Sequence, residues 1–348
     1  MSVIRMAGGP VVTVGHVKPS RPDFQAVGAF NAGVAVLGDE TILLLRVAEM
    51  PLQPESGAVL VPMLSEQGTE LELVRLLADD PNYDFSDSRV IKWYDGSYAY
   101  LTSMSHLRIA RSLDGERFVV DERPAMFPTG EAEAWGIEDP RITQLEDTYY
   151  ITYSAVSSRG VGVGLAKTRD FVDFERSGMI LPPENKDAMF FPERIGGKYY
   201  MLHRPVPRSI GAPEMWIAES PDLLHWGGHR YLMGLRPGLW DGGRIGGGAV
   251  PIRTDRGWLV LYHGADADSR YCMGAALLDL DDPARVLARS RVPLLAPEAD
   301  YEVNGFFGKV VFSCGAILAG DTVRMYYGAA DEVMARADIP LADIWASF

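Results

Sequence analysis

Six times along this 348-residue chain a polar turn opens into a short aromatic or aliphatic run. The runs are Asp39–Arg46, Asp95–Leu101, Asp147–Tyr153, Gly197–His203, Gly257–His263 and Asp321–Tyr327. Helical periodicity is almost absent. Val, Ile, Leu and Tyr bounded by Gly, Pro and Asp give the strand pattern. Several runs are followed by a second strand that ends on an aspartate turn, as in Ala110–Gly115, Ala166–Phe171 and Ala218–Leu223. Self-similarity at about 50–65 residues predicts four-stranded antiparallel blades, hence an all-β propeller. A β-sandwich or two separate β domains is the competing arrangement.

The composition shows no linker-like break, which favours one closed domain over residues 1–348. The blade count stays open between five and six. Residues 51–87 are polar and irregular, and read as an excursion from the first blade. The strand at Tyr98 would then continue that blade and five would result. Residues 335–348 are expected to form a tail that packs on the ring, with a short helix from Leu341 to Phe348.

Hydrophobic residues make up 47% of the chain, enough for a full core, and the net charge of -14 argues against nucleic acid or an anionic membrane as partner. No apolar stretch approaches a membrane span. Residues 1–14 lack a compact signal-peptide core and a small-residue cleavage site. Cys272 and Cys314 each lie in an apolar run and read as buried free thiols. A cytoplasmic protein is expected, and a homo-oligomer is left open.

A propeller gathers its ligand site where inner strands begin and end. The polar residues interrupting those strands are therefore informative: Asn31, Arg46, Asp139, Lys186, Asp187, His203, Arg204, Trp240, Asp241, Arg244, His263 and Asp331. Each also has a purely structural explanation, such as a solvated loop charge or a satisfied core histidine. Lys186, Arg204, Arg244 and His263 are expected at equivalent places in successive repeats. They would converge into a cationic pocket suited to an oxyanion such as phosphate. The turn Glu138-Asp139-Pro140-Arg141 is either an ion-paired turn or a carboxylate aimed from a strand mouth, because proline biases the preceding residue toward extended geometry. Gly246-Gly247-Gly248 lacks the Lys-Ser/Thr ending of a nucleotide-binding loop. No His or Cys cluster has metal-site spacing, so no metal and no cofactor is expected.

The ordered motifs Ile137-Glu138-Asp139-Pro140-Arg141, Asn185-Lys186-Asp187, Phe191-Pro192-Glu193, His203-Arg204-Pro205, Arg244–Gly248, Tyr262-His263-Gly264 and Tyr327–Asp331, together with Ala276–Pro283, resemble glycoside hydrolase family 130. The resemblance runs from about Phe30 to Asp331. The family comprises β-mannoside phosphorylases and a smaller set of β-1,2-mannosidases on a five-bladed propeller.

The resemblance implies that Asp139 is the single catalytic acid and that Asn31 and Asp331 hold the mannose whose bond is cut. It implies a phosphate set of Lys186, Arg204, Arg244 and His263, with Arg46 nearby. Asp187, Glu138 and Arg141 join the substrate-binding residues, the last two as supports of Asp139. Inorganic phosphate would be the co-substrate and a mannoside oligosaccharide the partner. One acid suffices for a phosphorylase, because phosphate is already an anionic nucleophile, whereas an inverting hydrolase also needs a base. The proton is expected to pass through a mannose hydroxyl. Asp139 should then be protonated near neutral pH, with burial or Glu138 raising its pKa. The stretch Leu101–Arg108 resembles the β-1,2-acting or oligomannoside-acting relatives. Two alternatives remain: a β-1,2-mannosidase that uses water, and a non-catalytic sugar-binding propeller.

Overall fold

The structure, a computed structural model, describes residues 3–53, 57–65 and 68–348. It is nearly all β, with two short α-helices, Asp300–Val303 and Leu341–Ala346, among the described residues. Twenty of the strands among the described residues fall into five antiparallel units of four. The first holds Phe24–Leu37, Glu40–Pro51, Met104–Ser112 and Val119–Val120. The second holds Gly136–Leu145, Thr148–Ser157, Gly160–Thr168 and Glu175–Leu181. These two join in one sheet through a parallel pairing at Gly136 and Ser105. The third holds Asn185–Phe190, Tyr199–Pro205, Met215–Ser220 and Gly227–Met233.

In the fourth unit Arg244–Gly247, Gly257–Ala265, Tyr271–Leu278 and Val286–Arg289 pair in turn, and Ile252–Thr254 pairs beside them with Gly257–Ala265. The fifth draws on both ends of the chain: Val311–Ala319, Thr322–Ala329 and Val333–Pro340 are completed by Ile4–Arg5, which pairs with Ala337 and Asp338.

The aspartate turns recur with one geometry. Ser112, Thr168 and Ser220 each accept a backbone N–H three residues on, from Gly115, Phe171 and Leu223. Asp114, Asp170 and Asp222 each accept two more from the following turn. Such side-chain acceptors satisfy a turn where no ladder can.

Apolar cores join neighbouring units. Ile42, Leu44 and Ile109 of the first pack with Ile137, Ile151 and Tyr153 of the second. Val163 and Leu165 meet Phe190 and Met201 of the third, and Met189 and Leu202 meet Trp258 and Tyr262 of the fourth. Leu259 and Leu261 meet Met325 and Tyr327 of the fifth. Tyr326 and Met334 of the fifth return to Val34, Leu43 and Val47 of the first.

The excursion is longer than 51–87, and residues 54–56 and 66–67 of that range lie outside the described residues. Ala58–Leu64 pairs with Leu71–Leu77, and Tyr83–Asp87, Val90–Trp93 and Tyr98–Leu101 form a second small sheet. Tyr98–Leu101 therefore does not continue the first unit. Met104–Ser112 does, from Glu49↔Met104 to Thr41↔Ser112. Its polar residues disguise a buried strand: His106 and Arg108 are buried beside Glu49, at 3.4 and 3.5 Å. The expected tail is also shorter, since Val333–Pro340 is a strand and the helix is Leu341–Ala346, with Ile344 buried against the fifth unit.

Candidate active site

The first strand of four units carries a β-bulge, between Phe30 and Gly33, Glu138 and Arg141, Lys186 and Met189, and Phe312 and Gly315. In three of these the residue entering the bulge is left-handed: Asn31 (φ 46°), Asp139 (φ 50°) and Asp187 (φ 55°). Asn and Asp tolerate this region better than other side chains, and a bulge re-aims the side chain it carries. Asn31, Asp139 and Asp187 thus occupy the same place in successive units. The residues across the ladder just before that place are Arg46, Ser154, Arg204, His263 and Gly328.

Of the four expected phosphate-binding groups, therefore, only Arg204 and His263 are structurally equivalent. Lys186 stands opposite Arg204, and Arg244 stands opposite Ala265. The bulges shift the register, so equal spacing along the chain does not mean equal place in the sheet.

Asn31, Arg46, Glu138, Asp139, Lys186, Asp187, Arg204, Arg244, His263 and Asp331 all line one cavity of about 930 Å³. Arg141 does not line it. Its guanidinium is buried behind the wall, donating to the carbonyls of Asp139 (3.0 Å), Gly247 (2.6 Å) and Gly248 (2.9 Å) and to Asp187 Oδ1 (3.1 Å). It ties three units together. The Asp139 carboxyl is left to others.

That carboxyl accepts from Asn31 Nδ2 at 3.0 Å and from Arg46 Nη1 at 3.1 Å. Arg46 also donates to Glu138 Oε1 (2.8 Å) and Ser105 Oγ (3.0 Å), and its guanidinium lies over the Phe30 ring. Burial works against the charge on Arg46, but Glu138, Asp139 and Asp331 outweigh it and raise its pKa. Burial likewise pushes Asp139 up, yet Arg46, Lys186, the Asn31 amide and Arg141 pull harder and hold it below 3.8. The expectation of a protonated Asp139 does not hold for the protein alone: the nearest charge is a guanidinium. Asp331 goes the other way. Burial, reinforced by Asp139 and Glu138 against the pull of Arg46 and Arg89, raises it from 3.8 to about 6.

The facing wall is cationic. Arg204 Nε donates to Asp187 Oδ2 at 2.6 Å, and Lys186 Nζ lies 3.9 Å from Glu138 Oε2. Arg244 is exposed and donates to the Tyr271 hydroxyl at 2.9 Å. Burial opposes ionisation of Asp187, but Arg204 and Arg141 among its neighbours hold it well below the ordinary carboxylate range. Burial, together with Arg204, Arg141 and Arg244, lowers His263 to about 3, so it is a neutral imidazole at pH 7. His263 Nδ1 and Asn31 Oδ1 are buried without a hydrogen-bond partner among the described residues. Such groups call for a partner.

His203, Trp240 and Asp241 lie elsewhere. His203 bonds Asn185 and His229, Trp240 stacks on Tyr262, and Asp241 is buried against Arg236, Arg289 and Tyr262. Sequence reasoning missed the cavity's other wall, which includes Arg89, Trp93 and Tyr98 from the excursion and Tyr271 and Phe307. The aromatic turn Trp93–Tyr98 was the available signal, but its apparent role as a blade strand hid it. Among the described residues no group of three or more His, Cys, Asp or Glu side chains is placed to hold a metal, and no helix is long and apolar enough to cross a membrane.

The family model of glycoside hydrolase family 130, described as beta-1,4-mannooligosaccharide phosphorylase, matches residues 87–347. A β-1,2-mannobiose phosphorylase of Listeria innocua is 53% identical over 346 residues, covering 99% of this chain and 98% of its own. A 1,2-β-oligomannan phosphorylase of a Thermoanaerobacter species is 41% identical over 244 residues, covering 69% of this chain and 80% of its own. The solved structure of the Listeria innocua β-1,2-mannobiose phosphorylase with β-1,2-mannobiose superposes with a TM-score of 0.97 at 52% identity, covering 100% of this chain and 99% of that one.

Proposed function

This chain belongs to glycoside hydrolase family 130 and is an enzyme of β-mannoside phosphorolysis; we propose that it cleaves the β-1,2 bond of mannobiose and short manno-oligosaccharides with inversion, giving α-mannose 1-phosphate and a shortened acceptor. The observation that carries the reading is the pairing of one candidate acid with a cationic wall. Asp187 and Glu138 answer only part of the charge of Lys186, Arg204 and Arg244 on the wall and of Arg141 behind it, so the wall favours an incoming anion. An enzyme using water would need a carboxylate base where Arg204 and His263 stand.

In this reading Asn31 and Asp331 hold the mannose, with the free Asn31 Oδ1 accepting from a sugar hydroxyl. Arg46 fixes Glu138 and Asp139, and Asp187 and Arg141 orient the wall from behind. Phosphate sits on Lys186, Arg204, Arg244 and the neutral His263, and attacks the anomeric carbon from the face opposite the leaving oxygen. Arg46, Lys186 and Arg141 hold Asp139 ionised in the free protein; the negative charge of phosphate offsets the last two and so raises the Asp139 pKa in the complex. Asp139 then gives a proton to the leaving oxygen by way of a mannose hydroxyl. The carbon–oxygen bond to the acceptor breaks as the bond to phosphate forms. The proton lost by HPO₄²⁻ on becoming the ester balances the one given to the acceptor.

We further propose that the five units are the blades of one closed five-bladed ring, in a single domain of residues 1–348. The cyclic order of the five cores supports this, since the last unit shares a core with the first. A cytoplasmic location accords with a reaction that consumes inorganic phosphate and with two buried free cysteines.

The test is to incubate the protein with β-1,2-mannobiose with and without phosphate. α-Mannose 1-phosphate formed only with phosphate is the expected result. Mannose released at the same rate without phosphate would overturn the phosphorolytic reading.

A further inference from the structure

Arg89 enters the cavity from the excursion, on a wall that the motifs do not mark. Its position is built. Asp87 takes Nε at 3.1 Å and Nη2 at 3.0 Å, and the guanidinium lies 3.9 Å from the centroid of the Phe307 ring. The backbone is pinned as well: Thr102 N donates to the Arg89 carbonyl and Thr102 Oγ1 to that of Ser88. A guanidinium has five N–H donors, and the clamp uses one on each of these nitrogens. Nη1 has no hydrogen bond to the described residues, and the side chain is 39% exposed, so the unused edge of the fork is open to a ligand.

The cavity gives that edge a direction. The Phe307 ring under the guanidinium is held beside Asp331, because Phe307 N donates to the carbonyl of Ala330 at 2.9 Å. The carboxylate of the cationic wall, Asp187, is paired instead with Arg204 at 2.6 Å and Arg141 at 3.1 Å. Arg89 is thus on the Asp331 side, away from the cationic wall. Trp93 and Tyr98 of the same small sheet line the cavity with it, Trp93 at 42% exposure and braced against Tyr83 at 4.7 Å. A fixed fork beside two partly exposed aromatic rings suits a neutral sugar, with hydroxyls on the fork and a ring face on the aromatics.

We propose that Arg89 is a specificity-determining residue that hydrogen-bonds the departing sugar, so that the excursion supplies the acceptor side of the site. The inference rests on the phosphorolytic reading above. Arg89 does not take part in proton transfer or in holding phosphate.

The experiment runs the reaction backwards, with α-mannose 1-phosphate as donor and D-mannose as acceptor, for the wild type, Arg89→Ala and Arg89→Lys. Arg89→Ala is expected to raise the KM for mannose about tenfold or more, the loss typical of hydrogen bonds to a charged donor. The KM for α-mannose 1-phosphate should stay within about twofold, as should the KM for phosphate in the forward direction. Arg89→Lys keeps the charge without the planar fork and should fall between. An unchanged KM for mannose in Arg89→Ala overturns the proposal, and so does a rise confined to phosphate or α-mannose 1-phosphate. A merely structural role predicts all KM values and the melting temperature moving together. Phe307→Leu, which removes the stack but keeps the guanidinium, would then reproduce the Arg89→Ala defect in full. Failure of the wild type to make any disaccharide would strike the phosphorolytic reading instead.

Discussion

Replacing Asp331 with Asn should stabilise this protein at neutral pH while disabling it. Asp331 is held at about 6 against an ordinary 3.8, chiefly because burial disfavours its charge and because Asp139 and Glu138 repel it. A raised carboxyl contributes stability that is complete below pH 3.8 and is lost as pH climbs through 6. By pH 7.5 the folded state carries an ionised Asp331 at a cost of about 3 kcal/mol relative to the unfolded chain. Asn keeps the shape without the charge, and it tolerates the left-handed backbone of this position (φ 53°). Arg46 retains Glu138 and Asp139, and Arg89 retains Asp87, so neither cation is stranded. Urea unfolding followed by tryptophan fluorescence should therefore find Asp331→Asn more stable by about 2 to 3 kcal/mol at pH 7.5 and about equal to the wild type below pH 4. Phosphorolysis should fall sharply if Asp331 holds the mannose. A stability difference that is the same at both pH values would refute the reasoning, because it would mean that the carboxyl is no more strained ionised than protonated.

Three other substitutions probe the rest of the site. Asp139→Asn should lower kcat about 10²–10⁴-fold, the usual worth of a general acid, while shifting the melting temperature by only a few degrees; retention of most turnover would remove Asp139 from its role. Arg204→Lys loses the Nε bond to Asp187 and should raise the KM for phosphate about tenfold with little change in the KM for mannobiose, as read from initial rates in the two substrates. Gly246→Ala puts a methyl group 2.5 Å from the His263 ring and against the Asp187 carboxylate, so the wall must move. It should weaken phosphate binding and destabilise the fold by about 1–3 kcal/mol, measured by isothermal titration and thermal unfolding.

The sequence was most legible where chemistry is local. Alternating apolar residues and aspartate turns are properties of a few consecutive positions, and they marked the strands of most units directly. The motifs around Asp139, Lys186, Arg204 and His263 were readable for the same reason, since each is a short run with a fixed residue pattern. The excursion was misread because Met104–Ser112 carries His106 and Arg108 into a buried strand, where Glu49 from a strand far back in the chain makes their burial tolerable. Nothing within the run announces that partner.

What only the tertiary structure decided is how the charges meet. Arg141, three residues after Glu138, looks like the natural partner of that turn, yet it takes only the Asp139 carbonyl there, and its other donors reach Asp187 and two carbonyls more than a hundred residues ahead. Arg46, 93 residues before Asp139, takes the carboxylate instead. The bulges that aim Asn31, Asp139 and Asp187 into one cavity are register shifts between paired strands, which a single strand does not display. Ionisation follows from those meetings: Asp139 is held low and Asp331 high within the same cavity. Residue type and spacing determine which groups are available, but the pKa of each depends on burial and on charges brought from other units, and both exist only once the units have packed.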